Sequence, residues 1–247
     1  MKKKTLLFFV AIVLFATTIH AQTAEEIIEN YFENTGGIDK WKEMESMKAL
    51  GTAPSPQGEF PFTMYGKLPD KMKIEVDIAG KTMIPQAYDG RIAWTLNPMA
   101  GDQAQKLPEE QAKMIADDAS IEDDFLNFNE KGHTVALEGT EEVDGVETFK
   151  IKLTKNVNND KAERVEYHFF DKENFVPIMS RTTISEGQAA GTIVENYLSD
   201  YQETAFGLIM PFYMETKYNG QTGQKIIINE YNINEELDDE IFEFPGK

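Results

Sequence analysis

Apolar and polar residues alternate with a period of two along most of the chain after residue 60. In the clearest run, Met72, Ile74, Val76 and Ile78 are separated by Lys, Glu and Asp, which is typical of a strand with one apolar face. Runs of this kind recur up to residue 233, mostly joined by short turns. They predict about eleven strands in meander order, and therefore one antiparallel sheet that is strongly curved or partly closed.

Apolar residues at helical spacing precede these strands. Thr23 and Glu26 form a capping-box pair, and apolar residues follow at helical spacing until Gly36-Gly37 ends the helix. A second short helix is predicted from residue 38 to about residue 47, with Trp41 on its apolar side. Two helices before a run of strands are suited to covering one face of the sheet.

The strand around Trp94 has recognisable boundaries. Asp89-Gly90 predicts a two-residue hairpin turn before it, and Asn97-Pro98 predicts its end, because proline cannot donate to a strand ladder. Trp94 and Leu96 share its apolar face. In the preceding strand, Pro85 indicates a sheet edge or a β-bulge.

A third short helix is predicted to begin at Pro108, with Glu109 and Glu110 in its first turn. Its apolar face is built mainly from small side chains, namely Ala112, Ile115, Ala116 and Ala119. Such a face gives little area for packing, so this helix is expected to be a weakly held lid over the sheet.

The first 21 residues have the pattern of a secretory signal peptide. Lys2 to Lys4 are followed by an apolar run from Leu6 to Phe15 and a small residue at Ala21. The alternative is a membrane anchor, but the run is short for a span of roughly 20 apolar residues. We therefore expect secretion to the periplasm and a single mature domain of residues 22–247.

Charge and cysteine content narrow the possible functions further. The chain has a net charge of −19, and loss of the signal peptide would leave 21 basic and 43 acidic residues, a net charge of −22. Such a chain repels nucleic acid and anionic lipid headgroups. It has no cysteine, so it forms no disulfide and carries no lipidated cysteine of its own.

The chain contains no recognisable catalytic or metal-binding pattern. In the mature part, His133 and His168 are the two histidines, and they are not at metal-ligand spacing. Acidic clusters such as Asp117-Asp118 and Glu122-Asp123-Asp124 resemble the paired carboxylates of glycosidases, but they lie beside segment ends, where solvated charges are usual. We expect neither an enzyme nor a bound metal or cofactor, with a secreted hydrolase as the remote alternative.

The apolar residues point instead to a ligand cavity. Ten methionines besides Met1 and many of the 16 phenylalanines are spread over the predicted strands and helices, and Met suits surfaces that accept variable shapes. A single sheet with few helices either closes on a packed core or leaves a cavity for an apolar ligand. We expect Met72, Ile74 and Val76 to face the concave side together with Trp94. The full set of predicted lipid-binding residues is Phe62, Met64, Met72, Ile74, Val76, Trp94, Leu96, Ile115, Phe149, Ile151, Tyr167 and Phe169.

Three motifs resemble those of a known family. Asp89-Gly90, Trp94 and Asn97-Pro98 match a "DG…W…NP" hairpin, and Lys67-Leu68-Pro69-Asp70-Lys71 matches a basic-x-Pro-x-Lys segment before a strand. The segment from Ile241 to Pro245 is similar to an "F-x-F-x-P" close. In order and spacing, they resemble the LolA-like outer-membrane lipoprotein-sorting proteins. The best-known carriers of that family have Arg, which holds their lid, where this chain has Leu68.

The resemblance implies a half-open β-barrel with helices over its concave face. It also implies a monomeric periplasmic carrier that binds acyl chains of lipoproteins or lipids and moves them toward the outer membrane. Its implied partners are an inner-membrane release complex and an outer-membrane acceptor. The alternative is a domain of the same fold that senses envelope components through protein contacts and carries no lipid.

Overall fold

Thirteen antiparallel strands form one open, curved sheet in a computed structural model that describes residues 22–156 and 163–246. The predicted signal peptide, residues 1–21, lies outside these ranges. The strands are β1 (Ser46–Ser55), β2 (Gly58–Lys67), β3 (Lys71–Ile78), β4 (Lys81–Tyr88), β5 (Ala93–Leu96), β6 (Gln105–Lys106), β7 (Thr134–Val143), β8 (Val146–Lys155), β9 (Arg164–Asp171), β10 (Pro177–Thr183), β11 (Ile193–Glu203), β12 (Ile209–Tyr218) and β13 (Gln221–Ile233).

The order of the strands across the sheet is β6-β5-β4-β3-β2-β1-β13-β12-β11-β10-β9-β8-β7. Each neighbouring pair is therefore a hairpin of consecutive strands, except β1 with β13. The sheet does not close, because β6 and β7 lie at its two edges. The predicted mainly-β fold with a single curved antiparallel sheet is confirmed.

In the described part of the chain, three α-helices accompany the sheet: α1 (Ala24–Asn34), α2 (Ile38–Lys42) and α3 (Glu109–Asp118). The predicted capping box is present, since the Thr23 hydroxyl accepts from the Glu26 backbone N–H and the Glu26 carboxylate accepts from that of Thr23. A 3-10 turn at Asp239–Ile241 precedes the C-terminal end. Within the described residues, no helix is long and apolar enough to span a membrane.

The second predicted helix was too long, and the strand after it was missed. Helix α2 ends at Lys42, and residues from Ser46 onward form β1, which pairs with both β2 and β13. The inward residues of β1 include Ala49, which has only a methyl group, and Gly51, which has no side chain, and both give little sign of a strand. Ladder pairing on both sides decides the conformation here, because strand preference depends strongly on tertiary context.

The two faces of the sheet have different coverings. Helices α1 and α2 pack on one face, where Tyr31 and Trp41 share a core with Ile151, Leu153 and Phe170. We call this the inner face. The other, outer face is covered over its first strands by the C-terminal segment, whose Phe244 packs against Trp94.

Trp94 was predicted to share a face with Met72, Ile74 and Val76, and this prediction is wrong. Ladder pairs place Trp94 opposite Ala87 and Ala87 opposite Lys73, on the face that those three residues avoid. The cause is a bulge in β4 around Pro85: Val76 pairs with Met83 but Ile74 pairs with Gln86. One extra residue in a strand moves every later side chain to the other face.

The turn before β5 also differs from the prediction. Tyr88 pairs with Ala93, so the connection has four residues instead of two. The Asp89 carboxylate accepts from the backbone N–H groups of Arg91 and Ile92 and holds this wider loop. Aspartate stabilises such side-chain turns as readily as it does a type I′ turn.

Candidate functional site

An apolar surface crosses the centre of the inner face, where strands from the two halves of the chain meet. Ala49 of β1 lies opposite both Met64 of β2 and Tyr231 of β13, and Gly51 lies opposite Phe62. The surrounding half-buried apolar side chains form what we call the inner trough: Phe62, Met64, Met72, Ile74, Val76, Phe212, Met214 and Ile226.

Small residues in β1 let the trough side chains lie close to the sheet. A β-carbon added at Gly51 would overlap the Phe62 ring and the backbone carbonyl of Ile227. The Phe62 ring therefore packs against the backbone of β1 at Gly51, and Ala49, two residues before Gly51, is fully buried. The trough floor is consequently smooth backbone and small side chains, with longer apolar side chains on both sides.

One end of the trough is closed by Ile121. A β-carbon added at Gly66 would overlap the Cγ2 methyl of Ile121, so the Ile121 side chain occupies the space that a side chain at Gly66 would fill. Ile121 packs against both the helix-covered core and the trough cluster. It follows α3 by three residues, so the position of α3 and the closed end of the trough are coupled through a short segment.

Helix α3 crosses from one wall of the curved sheet to the other. It packs against β4 and β5, and Glu110 reaches the loop after β10 beside Gly187. At its other end, Asp118 accepts a hydrogen bond from Arg164 at the start of β9. No residue of α3 is fully buried, and Ile115 on its apolar face is half-buried. The predicted short helix is therefore present and weakly packed, and its role as a lid stays a prediction.

A group of paired charges anchors the end of α3 to the sheet. The Arg164 side chain also contacts Glu166 at 2.9 Å, and Lys155 pairs with Glu166 at 3.1 Å and with Asp124. Burial raises the pKa of Glu166, but the neighbouring His168, Lys155 and Arg164 outweigh it and hold that pKa well below its usual value. Glu166 is therefore ionised at neutral pH and its charge is compensated.

Asp123 and Phe125, in the segment after α3, contact two further polar side chains, Tyr31 and His168. The Tyr31 hydroxyl of α1 donates to Asp123 Oδ2 at 2.9 Å, and burial raises the pKa of Asp123. His168 Nε2 lies 3.4 Å from Glu166 Oε2 but makes no well-aligned hydrogen bond within the described residues. The Phe125 ring covers the imidazole at a centroid distance of 4.8 Å.

Four of the predicted lipid-binding residues lie on the outer face. Trp94 and Leu96 belong to a cluster with Ile84 and Phe244, and Trp94 Nε1 donates to the Phe242 carbonyl at 2.8 Å. Two ion pairs also hold the C-terminal segment, since Lys67 and Lys71 each lie 2.7 Å from the Asp239 carboxylate. These lysines lower the pKa of Asp239 to about 2.

Tyr167 and Phe169 form the second outer pair. They pack with Val143 and Met179, and the Arg181 guanidinium lies 4.9 Å from the centroid of the fully buried Phe169. These outer positions follow from the ladder, because Phe169 lies opposite Met179 while the inner His168 lies opposite Ser180.

The remaining predicted residues lie on the inner side but not all in the trough. Ile151 is fully buried beneath α1, and Phe149 stacks on Phe175 with centroids 6.0 Å apart. The five residues from β2 and β3 do line the trough, namely Phe62, Met64, Met72, Ile74 and Val76.

Sequence reasoning missed the half of the trough contributed by the last strands. Phe212, Met214, Ile226 and the buried Ile228 pack in the same cluster as Met64. Their alternation along the sequence is a usable signal. What the sequence does not show is that the first and last strands pair, which brings the two sets together.

The acidic clusters are engaged in structural contacts. Asp118 binds Arg164, Asp123 binds Tyr31, Glu122 binds Lys131 and Asp124 binds Lys155. Across residues 22–156 and 163–246, no group of three or more His, Asp or Glu side chains is arranged to hold a metal ion.

Clefts are also present elsewhere in the described residues, and one of them reaches Gly51 and Phe62 at the edge of the trough. A cleft of about 400 Å³ is lined mainly by outer residues, including Thr63, Glu75 and Asp77. A larger one, of about 760 Å³, lies beside the end of α1 and includes Asn34 and Leu198. Their linings are more polar than the trough, so they suit an acyl chain less well.

Neither a family model nor a curated protein matches the sequence, but solved structures do match the fold. A DUF1329 family protein from Desulfovibrio piger superimposes with a TM-score of 0.59 at 12% identity, covering 89% of this chain and 96% of that one. A LolA superfamily protein from Nitrosomonas europaea gives 0.54 at 16% identity, covering 90% and 98%. A domain described as an outer membrane lipoprotein-sorting protein domain, from Vibrio parahaemolyticus, gives 0.52 at 12% identity, covering 88% and 94%. The chain therefore has a LolA-like fold.

Proposed function

We propose that this protein is a carrier that holds acyl chains of a lipoprotein or lipid in the inner trough. The observation that carries the proposal is the trough itself, a set of half-buried apolar side chains that share the inner face. The weakly packed α3 reaches from β4 and β5 to Arg164 of β9. Large contiguous apolar patches on a protein surface usually mark a binding site. Burial of one 16-carbon chain would contribute up to roughly 10 kcal/mol, at about 0.8 kcal/mol per methylene.

Release is the harder step for such a carrier, and α3 is suited to it. A chain held by several kcal/mol leaves quickly only if the closed state is marginally preferred over an open one. Helix α3 has no fully buried residue, and its end is held by the pair Asp118–Arg164. We propose that opening of α3 uncovers the trough.

We propose the periplasm as the place of action, with residues 1–21 as the secretion signal. The partners that fit this role are a complex that loads the carrier at the inner membrane and an acceptor at the outer membrane. The protein would act without catalysis, and the ion pairs that engage the acidic clusters favour this reading over a hydrolase.

A paired substitution tests the proposal. Ile74→Asn places a polar group in the trough, whereas Ile227→Asn places one on the outer face of β13, opposite Tyr213. The protein of residues 22–247 is titrated with a fluorescent fatty acyl probe. Ile74→Asn should weaken binding about tenfold, since an unpaired polar group beside an apolar ligand costs about 1–3 kcal/mol.

The control should bind the probe as the unmodified protein does. Equal loss in both variants, with both folded, would show that the inner face is not the binding surface. No binding by the unmodified protein would remove the carrier function altogether.

A further inference from the structure

A row of uncharged polar side chains crosses four neighbouring strands on the inner face. Ser180 of β10 lies opposite Asn196 of β11, Asn196 lies opposite Thr216 of β12, and Thr216 lies opposite Gln224 of β13. Directly opposed residues of antiparallel strands point to the same face. Ser180 also lies opposite His168, which contacts Phe125 of the inner core. We call Ser180, Asn196, Thr216 and Gln224 the polar row.

The polar row borders the inner trough. The next residues on the same face are Leu198, Met214 and Ile226, which lie opposite one another in turn. Two residues along a strand correspond to about 7 Å. A ligand whose chain lies over Met214 and Ile226 therefore has its polar end within reach of the row.

The row has hydrogen-bonding capacity to spare. Thr216 Oγ1 donates to Asn196 Oδ1 at 2.8 Å, and Asn196 Nδ2 lies 3.5 Å from Ser180 Oγ, at the long limit for a hydrogen bond. Ser180, Asn196 and Thr216 are half-buried. Covering them with an apolar ligand alone would leave polar groups unsatisfied, which is unfavourable.

The carboxylate of Glu166, near one end of the row, is already paired with cations. Thr182, one step beyond Ser180 on the inner face, lies opposite Glu166, and Glu166 is paired with Lys155 and Arg164. A phosphate or carboxylate headgroup bound here would need a cation of its own, whereas these two cations already bind carboxylates.

We propose that the polar row is the headgroup subsite of the trough, and that it selects amphiphiles with an uncharged, hydrogen-bonding headgroup such as a hydroxyl, ester or amide. This inference rests on the proposed acyl binding in the trough. It narrows the cargo to neutral acyl compounds, because the row supplies donors and acceptors but no charge.

Competition against a fluorescent acyl probe tests the selection, using residues 22–247 and three ligands with the same palmitoyl chain. The ligands are monopalmitoylglycerol, ionised palmitate and palmitoyl lysophosphatidic acid. Monopalmitoylglycerol should displace the probe at the lowest concentration. The double variant Asn196→Leu with Thr216→Val should lose about tenfold in affinity for it, as expected for two hydrogen bonds of about 0.7 kcal/mol each.

The affinity of the double variant for palmitate should stay the same or rise. Thr216→Val alone keeps the shape of the side chain and provides the test if the double variant does not fold. Thr52→Val is the matched control, since Thr52 lies on the outer face opposite Pro61 and Ile227. It should change none of the three affinities.

Two results would overturn the inference. If the charged ligands compete better than monopalmitoylglycerol, or if the variants lose nothing, the row is not a neutral headgroup subsite although acyl binding stands. If none of the three ligands nor the probe binds, the proposed carrier function fails and the inference fails with it.

Discussion

At the scale of single residues, the position of Trp94 is the most informative feature. Trp94 is almost fully buried on the outer face, where its indole N–H donates to the Phe242 carbonyl. Its role there is to hold the C-terminal segment against the sheet. A tryptophan in an apolar strand is equally compatible with a ligand site, so only the ladder register separates the two roles.

Trp94→Phe should therefore affect the C-terminal segment and leave ligand binding unchanged. Loss of the indole hydrogen bond should lower the free energy of unfolding by about 1–2 kcal/mol. Amide hydrogen exchange in residues 238–246 should accelerate, as followed by mass spectrometry. A drop in acyl-probe affinity with no change in that exchange would place Trp94 in the ligand site and contradict the outer assignment.

Gly66 provides a second test at this scale. A methyl group there would overlap Ile121, so Gly66→Ala should destabilise the protein by about 1–3 kcal/mol, the usual effect of overpacking. Chemical denaturation measures the change. The double variant Gly66→Ala with Ile121→Ala should recover part of the loss, because the two side chains compete for one space. Strictly additive losses would show that they do not.

The face of the sheet on which each side chain lies could be predicted from the sequence only as far as the first β-bulge. Met72, Ile74 and Val76 face inward, as the alternation predicts. Pro85 signals a bulge or an edge, but it does not tell which, and the one-residue shift decides on which face Trp94 lies. Alternation shows which residues of a strand share a face. Which face of the sheet this is depends on the register with the neighbouring strands.

At the scale of elements, α3 combines a suitable position with weak packing. It touches β4 and β5 at one side and Arg164 at the other. Its last turn carries Asp117 and Asp118 and no basic residue, and acidic residues at a helix C-terminus oppose the helix dipole. Arg164 offsets part of this when α3 lies against β9, so the closed position stabilises the helix end.

Ile115→Asp tests whether α3 is a lid. A charge on the half-buried face of α3 should cost on the order of a few kcal/mol wherever that face is packed. Because the sheet and α1 keep their own core, the variant should remain folded while its affinity for a fluorescent acyl probe falls. In the unmodified protein, residues 99–119 should exchange amide hydrogens faster than the strands, and ligand should slow this exchange.

Met114→Asp is the matched control, since Met114 is 57% exposed on the same helix. It should alter neither binding nor stability. If Ile115→Asp leaves binding and exchange unchanged, α3 is surface structure only. If it unfolds the protein, α3 is part of the core.

The elements themselves were largely predictable, and the exceptions have physical causes. The capping box predicted helix α1, and Pro108 with the acidic first turn predicted helix α3. Strand β1 was not predictable in this way, because its inward residues include Ala49 and also Gly51, where the Phe62 ring packs against the backbone. That requirement comes from a neighbouring strand and has no local signature in the sequence.

At the scale of the whole molecule, stability should depend on pH through Glu166. Its pKa in the folded protein lies well below the ordinary value of 4.5, so its ion pairs contribute fully above about pH 4.5. This contribution is lost as the pH falls toward the lowered pKa. Glu166→Gln should be less stable than the unmodified protein by about 2–4 kcal/mol at neutral pH, as for other broken buried pairs.

Denaturation at several pH values checks this prediction. The difference between the two proteins should shrink steadily as the pH is lowered below about 4.5. Glu147→Gln is the control, because Glu147 pairs with Lys172 at the exposed surface and its loss should matter little. A difference that is independent of pH would mean that Glu166 stabilises the fold by packing and not by charge.

The mainly-β class and the single sheet followed from strand periodicity. The seam between the first and last strands did not, because periodicity carries no information on long-range pairing. The inner trough depends on that seam, since its cluster draws on β1, β2, β12 and β13. For this reason, half of the trough, including Met214 and Ile226, could not be predicted from the sequence.

The strand order also has a kinetic consequence. Strands β1–β6 form one run of hairpins and β7–β13 another, and in the ladder of the described strands the two runs pair through β1 and β13. Hairpins between consecutive strands close short loops, whereas this junction closes a loop of nearly the whole domain, and such contacts form late in folding. The proposed cargo surface draws on both runs, so we expect it to be complete only after β1 and β13 have paired.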